Sequence, residues 1–363
     1  MTDMKKHLSI LVLLVVVCAF GRANACTGIT LTTKNNEVVA ARTIEWAYTE
    51  IGSRYTIVPR GYVQRSFVPG GAKEGMEFTA RYGYVGLAVE QAEFVVEGVN
   101  ETGLSAGLFY FPSYGEYLPY DKSKNSSTIS DFQLVSWILG NFKSVDEVKQ
   151  AMKNIRVTAI DPRSSTVHWR VIDPSGKQIV IEIVAQQVKI HDNPVGVLTN
   201  SPSFDWHLTN LNNYINLFTG AAPNKTMGSL ALSPIGGGSG LLGIPGDMTP
   251  PSRFVRAAFF QTAAPKLATT TETVLQAFHI LNNFDIPVGI QFADTESVAD
   301  IPSATQWTVA TDLQNKKIYY RTMFNSEIRY FDLAEIDFSK VKYQSELLDK
   351  TKQQPLRKVE IKR

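Results

Sequence analysis

Ala23-Asn24-Ala25-Cys26-Thr27-Gly28 is the stretch on which the reading of this chain turns. Ahead of it, Lys5-Lys6 precede an apolar run from Leu8 to Phe20, and Ala23-Asn24-Ala25 has the small-x-small form of a leader cleavage site. Cutting after Ala25 makes Cys26 the first residue of the mature chain. Its thiol and a free α-amine then sit on one residue, a nucleophile carrying its own base. An α-amine titrates at roughly pH 7.7–8.0, close to where a general base is most useful. Nucleophiles activated by a terminal amine are an established catalytic arrangement. Two other readings stand beside this one. Cys26 is either the lipid-bearing cysteine of a bacterial lipoprotein or simply the residue that follows the cut. A lipid-attachment site usually has a bulky aliphatic three residues before the cysteine and a small residue two before; here those places hold Ala23 and Asn24.

Removal of residues 1–25 leaves residues 26–363, ample for a sizeable core and read as a single domain. The leader takes Lys5, Lys6, Arg22 and Asp3 from totals of 36 basic and 34 acidic residues, leaving 33 of each. That balance argues against nucleic acid or an anionic membrane surface as the main partner. No apolar run after residue 25 approaches the roughly 20 residues of a membrane span, so no span is expected. The other cysteine, Cys18, leaves with the leader, so the mature chain has one thiol and no disulfide within itself. An unpaired cysteine in an exported chain reads as a reactive one. The expected compartment is the bacterial periplasm or the medium.

Strand signals open the chain: Thr27–Thr33 and Val38–Ile44 flank Lys34-Asn35-Asn36-Glu37 as a hairpin. Further hairpins read at Thr166–Ile172 with Gln178–Val184, and at Trp307–Asp312 with Lys317–Thr322. Helices read over Asp131–Leu139, from Ser144 to about Ile155 behind a capping box, over Ser252–Ala263 and over Glu272–Asn282. Strand pairs at both ends with helices in blocks between them predict an α+β layered fold. The Gly- and Pro-rich segment Ser233–Pro251 reads as a mobile surface loop or, alternatively, as an ordered loop near a site.

Gly238-Ser239-Gly240-Leu241-Leu242-Gly243 fits G-x-G-x-x-G in form only, because a Gly-rich loop precedes it and Ile244-Pro245-Gly246 follows. His168, His191, His207 and His279 show no metal-ligand spacing, and no metal or organic cofactor is expected. One of them beside Cys26 would make a papain-like pair; His168 and His279 read more naturally as core histidines.

Five blocks in order carry a resemblance. They are Cys26-Thr27-Gly28; Arg42-Thr43-Ile44-Glu45-Trp46; Asn100 to Leu108 (Asn-Glu-Thr-Gly-Leu-Ser-Ala-Gly-Leu); Leu198-Thr199-Asn200-Ser201-Pro202; and Gly246 to Phe254 (Gly-Asp-Met-Thr-Pro-Pro-Ser-Arg-Phe). Together they resemble the choloylglycine hydrolase family of conjugated bile acid hydrolases and penicillin V acylases, across essentially the whole mature chain. The resemblance implies a four-layer αββα sandwich of the N-terminal-nucleophile hydrolase type. It implies Cys26 as nucleophile, Arg42 as a cation near the thiol, and Asn200 as an amide donor to the oxyanion. It also implies Arg253 as a second arginine at the site. Glu45 stands where the family has an aspartate that hydrogen-bonds the α-amine, one methylene longer. Where relatives place an asparagine or tyrosine at the oxyanion hole, this chain has Phe109-Tyr110-Phe111; the backbone N–H of Phe109 would serve, or Tyr110 if the alignment shifts by one. Trp46, Phe109, Tyr110 and Phe111 suggest an apolar acyl pocket, with a core role for each as the alternative.

The function so implied is an exported cysteine amidase cleaving a linear amide between a hydrophobic acyl group and a small amine. Conjugated bile acids come first, penicillin V second and N-acyl homoserine lactones third as the small-molecule substrate. A non-catalytic periplasmic binding protein or lipoprotein is the rival. The stretch Phe204–Gly237 resembles the extension through which family members form tetramers, so a homotetramer is expected.

Overall fold

The computed structural model describes residues 25–47, 50–161, 165–291 and 303–361; the leader, up to residue 24, lies outside the described residues. The chain opens with the hairpin β1 (Cys26–Thr32) and β2 (Val38–Ala47), in a register that sets Cys26 opposite Ile44 and Gly28 opposite Arg42. Asn36 makes the turn at φ 63°, a left-handed conformation that asparagine tolerates. On its other side β2 pairs with β16 (Ser303–Asp312), followed by β17 (Lys317–Thr322) and β18 (Arg329–Asp332). The five form an antiparallel sheet in the order β1-β2-β16-β17-β18.

A second antiparallel sheet has eight strands: β3 (Arg54–Val58), β6 (Tyr84–Ala88), β7 (Val95–Asn100), β8 (Ser105–Tyr110), β11 (Val167–Ile172), β12 (Gln178–Val184), β13 (Gln187–Asp192) and β19 (Gln344–Leu347). Its order is β13-β12-β11-β8-β7-β6-β3-β19. Three small ribbons lie outside both sheets: β4 (Val63–Arg65) with β5 (Glu77–Thr79), β9 (Thr128–Ser130) with β10 (Arg156–Thr158), and β14 (Lys225–Met227) with β15 (Leu230–Leu232).

Helix α1 (Leu134–Asn141) covers β7 and β8, and α2 (Val145–Ala151) follows it. After α3 (Phe204–Asn210), α4 (Pro250–Ala263) and α5 (Thr270–Leu281) cover β1, β2 and β16. The result is a four-layer αββα sandwich. Strands inside it are buried on both faces, which is why β7 (VVEGVN) and β11 (VHWRVI) are buried at every position. Toward the margin of the smaller sheet, β17 alternates between half-buried and buried residues, as a strand covered on one face does.

The helix ends follow their caps. Thr269 and Glu272 close a full capping box on α5, and α4 begins at Pro250, two residues before the expected start, because proline fits a first turn. Ser144 caps α2, but the Glu147 carboxylate reaches back to the Lys143 N–H rather than to Ser144. The helix passes into a 3₁₀ turn at Met152–Asn154.

Candidate active site

Cys26 begins β1, an edge strand, and the segment Leu198–Ser201 lies along that edge. Gly28 N–H donates to Leu198 O at 2.7 Å and Leu198 N–H donates back to Gly28 O at 3.1 Å. This brings Asn200 to Cys26, whose N–H donates to Asn200 Oδ1 at 2.8 Å. Arg253, in the first turns of α4, donates from Nη2 to the same Oδ1 at 2.7 Å, and from Nη1 to Cys26 O at 2.5 Å and Thr27 Oγ1 at 2.8 Å. Its Nε donates to Met248 O at 2.9 Å. Asn200 Nδ2 donates to Tyr110 O at 2.8 Å. The amide orientation is fixed by these partners, since its oxygen meets two donors and its nitrogen an acceptor. Asn200 thus receives the Cys26 nitrogen through its oxygen, a contact that its reading as a donor alone did not include.

Arg42 lies on the inter-sheet face of β2, the face that Cys26 and Gly28 share through their register. It is fully buried. Nε donates to Thr43 O at 3.1 Å and Nη1 to Leu108 O at 2.5 Å, while Glu97 stands 3.6 Å away. Arg170 approaches the other oxygen of Glu97, also at 3.6 Å, so two guanidinium groups share one carboxylate between the sheets.

Phe109 takes the core role that stood as its alternative reading. Its ring lies beneath Arg42, 4.0 Å from the guanidinium carbon, with Arg170 at 5.6 Å and His168 edge-on. It is an inter-sheet cation–π platform rather than part of an acyl pocket. The backbone N–H that pulls the Cys26 thiol down belongs to Tyr110, the neighbour one residue on. Trp46 is half-buried and packs against the core.

Burial pushes the Cys26 thiol above its ordinary value; Arg42, the Tyr110 N–H and Arg253 oppose this, and Glu45 adds to it. Glu45 alternates onto the helix-facing side of β2, where Oε1 accepts from Thr305 Oγ1 at 3.0 Å. Burial raises its carboxyl to about 7 against the pull of Arg253. Its backbone N–H donates to Ala25 O at 2.9 Å. Burial brings Arg253 down to about 10, with Glu45 opposing.

The segment before α4 is partly anchored, unlike the mobile loop favoured by composition. Asp247 accepts from Thr249 N–H and Ser252 Oγ, and Arg256 donates to Pro245 O and Asp247 O. Sequence reasoning also missed what two histidines do. His168 and His207 are buried behind Asn200, whereas His279, expected in the core, is exposed. Among the described residues, no group of three or more His, Cys, Asp or Glu is placed to hold a metal ion, and no helix is long and apolar enough to cross a membrane.

Comparison with known proteins decides the family. Residues 26–349 match the linear amide C-N hydrolases of the choloylglycine hydrolase family. The chain belongs to this family. It is 34% identical over 314 residues to the bile salt hydrolase/transferase of Clostridium perfringens, covering 85% of this chain and 92% of that protein. The corresponding Lactiplantibacillus plantarum protein is 35% identical over 314 residues, with the same coverage. A penicillin V acylase of Pectobacterium atrosepticum is 26% identical over 328 residues, covering 83% and 78%. The crystal structure of a variant of the C. perfringens conjugated bile acid hydrolase superposes with a TM-score of 0.79 at 30% identity, over 92% of this chain and all of that one. The penicillin V acylase of Agrobacterium tumefaciens superposes at 0.71 and 25% identity, over 87% and 88%. The chain is therefore an amide hydrolase of the N-terminal-nucleophile fold.

Proposed function

We propose that, once residues 1–25 are removed, this choloylglycine hydrolase family member hydrolyses conjugated bile acids, with Cys26 as its nucleophile. The observation that carries the proposal is the seat of the Cys26 nitrogen, 2.8 Å from Asn200 Oδ1 on a segment that Arg253 and Tyr110 also hold. Cleavage turns that nitrogen into an amine beside its own thiol. The amine takes the thiol proton and Sγ attacks the amide carbonyl. The Tyr110 N–H and the second hydrogen of Asn200 Nδ2 are the donors for the oxyanion. The amine then protonates the leaving glycine or taurine, and water activated by the same amine cleaves the thioester. Arg42, held between the sheets, favours the thiolate. Glu45 faces the ammonium from the helix side of β2 and steadies it.

The bile-acid reading draws on the relatives: the bile salt hydrolases at 34% and 35% identity stand nearer than the penicillin V acylase at 26%. Export to the periplasm rests on the leader pattern. A homotetramer is supported by the ribbon β14/β15 and its flanks, where Met227 is 68% exposed, Leu230 62% and Ile235 98%. So much apolar surface on one projection fits contact with further copies.

Amine release from glycocholate, taurocholate, penicillin V and a long-chain N-acyl homoserine lactone tests the substrate. The bile acids are expected to give the highest kcat/KM; a higher value for either other class would move the assignment to it. Cys26→Ser is expected to lose about a thousandfold or more in kcat, because a hydroxyl with no lowered pKa is a far poorer nucleophile. It should keep its melting temperature, since Cys26 forms no disulfide. Full turnover by this variant would place the nucleophile elsewhere.

A further inference from the structure

The segment that carries Asn200 is gripped from behind by two buried histidines. His207, on α3, is 2.8 Å from Asn200 O through Nε2, and His168, on β11, is 3.1 Å from Thr199 O through Nε2. A carbonyl oxygen only accepts, so each Nε2 carries its hydrogen and donates. Both histidines and Asn200 are at most 1% exposed. Each ring is also fixed in its plane: His207 stacks on Phe254 with centroids 4.6 Å apart and His168 on Phe111 at 4.5 Å, both within 9° of parallel.

Behind the rings stands one carboxylate. Glu182 Oε1 lies 3.1 Å from His168 Nδ1 and accepts from the Phe204 N–H, the first residue of α3, at 3.0 Å. His191 Nε2 lies 3.6 Å from its other oxygen. Buried as it is, Glu182 is held down at about 2 by the neighbouring His168 and His191 rings, and so is ionised at neutral pH. Burial lowers His207 to about 4, leaving a neutral ring that donates from Nε2.

We infer that His207 and His168 are positioning residues for the amidase reaction: by holding the carbonyls of Asn200 and Thr199 they fix the Asn200 side chain against the Cys26 nitrogen. The inference rests on the reading of Cys26 as nucleophile. The geometry explains why a histidine is used where a stacked apolar ring would fill the same space. Two consecutive carbonyls are each held by a buried ring donor, so the amide between Cys26 and Tyr110 has little freedom to tilt. A tilt of about 1 Å at such a group costs on the order of a hundredfold in rate.

Ring-conserving and donor-conserving substitutions separate this role from packing. His207→Phe keeps the stack on Phe254 and removes the donor; His207→Gln keeps a donor of similar reach and removes the stack. Steady-state kinetics of the processed enzyme on glycocholate, at least 15 °C below each melting temperature, is the measurement. His207→Phe is expected to lose about 10- to 100-fold in kcat with KM within about threefold, and His207→Gln to stay within about fivefold of the parent. His168→Phe is expected to lose kcat in the same sense. A His207→Phe enzyme with parental kcat would overturn the inference. So would a His207→Gln enzyme as slow as a folded His207→Phe one, and that comparison holds even if His168→Phe does not fold. Cys26→Ser run alongside keeps the two readings apart: if it turns over normally, the nucleophile assignment has failed. If it is inactive while His207→Phe is fully active, the histidine inference alone has failed.

Discussion

The circumstances of Glu45 depend on whether Cys26 carries a free amine. While Ala25 is attached, the Cys26 nitrogen is an uncharged amide, and the buried Glu45 carboxyl sits at about 7 against an ordinary 4.5. A carboxyl raised on folding binds its proton more tightly in the native than in the unfolded chain. Its share of stability is therefore complete below pH 4.5 and is lost as pH rises through 7. The loss for a shift of this size is on the order of 3 kcal/mol. A chain made with Met-Ala ahead of Cys26 should thus be less stable to urea at pH 8 than at pH 5, and Glu45→Gln should remove much of that difference. Asp131, also buried and raised to about 7, keeps its own share in both chains. In a chain that begins at Cys26, an ammonium near the carboxyl would draw it down, so the pH dependence should shrink. An uncut Glu45→Gln chain with unchanged pH dependence would show that Glu45 does not titrate as its burial requires.

At the scale of the element, β1 works because it lies almost against the other sheet. A Cβ on Gly28 would come 2.8 Å from Phe109 Cζ and 2.9 Å from Arg170 Nη1. Gly28→Ala should push β1 away from β8, cost about 1–3 kcal/mol by urea unfolding, and lower kcat more than KM. An alanine enzyme of parental stability and rate would mean that this approach is not required. Glycine two residues after Cys26 was visible in the sequence, but its reason was not. The hairpins were legible because alternation and turn residues are local, and the start of α2 because its Ser144 cap is local. Asn200 was found through a motif, yet its bond to Cys26 spans 174 residues and has no local signature. Phe109 and Tyr110 exchanged places for a related reason: which of two adjacent strand residues faces the sulfur depends on how the sheets stack. The histidines carried no signal, since a buried histidine holding a carbonyl reads in sequence like any core histidine.

For the whole molecule, the apolar ribbon makes the proposed assembly testable. Replacing Met227 and Leu230 together with glutamate should shift a homotetramer to smaller species in sedimentation. The site should stay intact, because both residues are largely exposed and lie outside the two main sheets. An unchanged sedimentation coefficient would move the contact elsewhere. The edge position of β1 has a consequence of a different kind. An open sheet edge invites strands of other molecules, and proteins blunt such edges by covering them. Here the cover is the pair of bonds between Gly28 and Leu198, with Gln261 Oε1 accepting the Thr30 N–H at 2.9 Å. The contacts that hold the strand of Cys26 therefore also keep copies of the chain from zipping together edge to edge, so that one seam both seats that residue and guards the open edge.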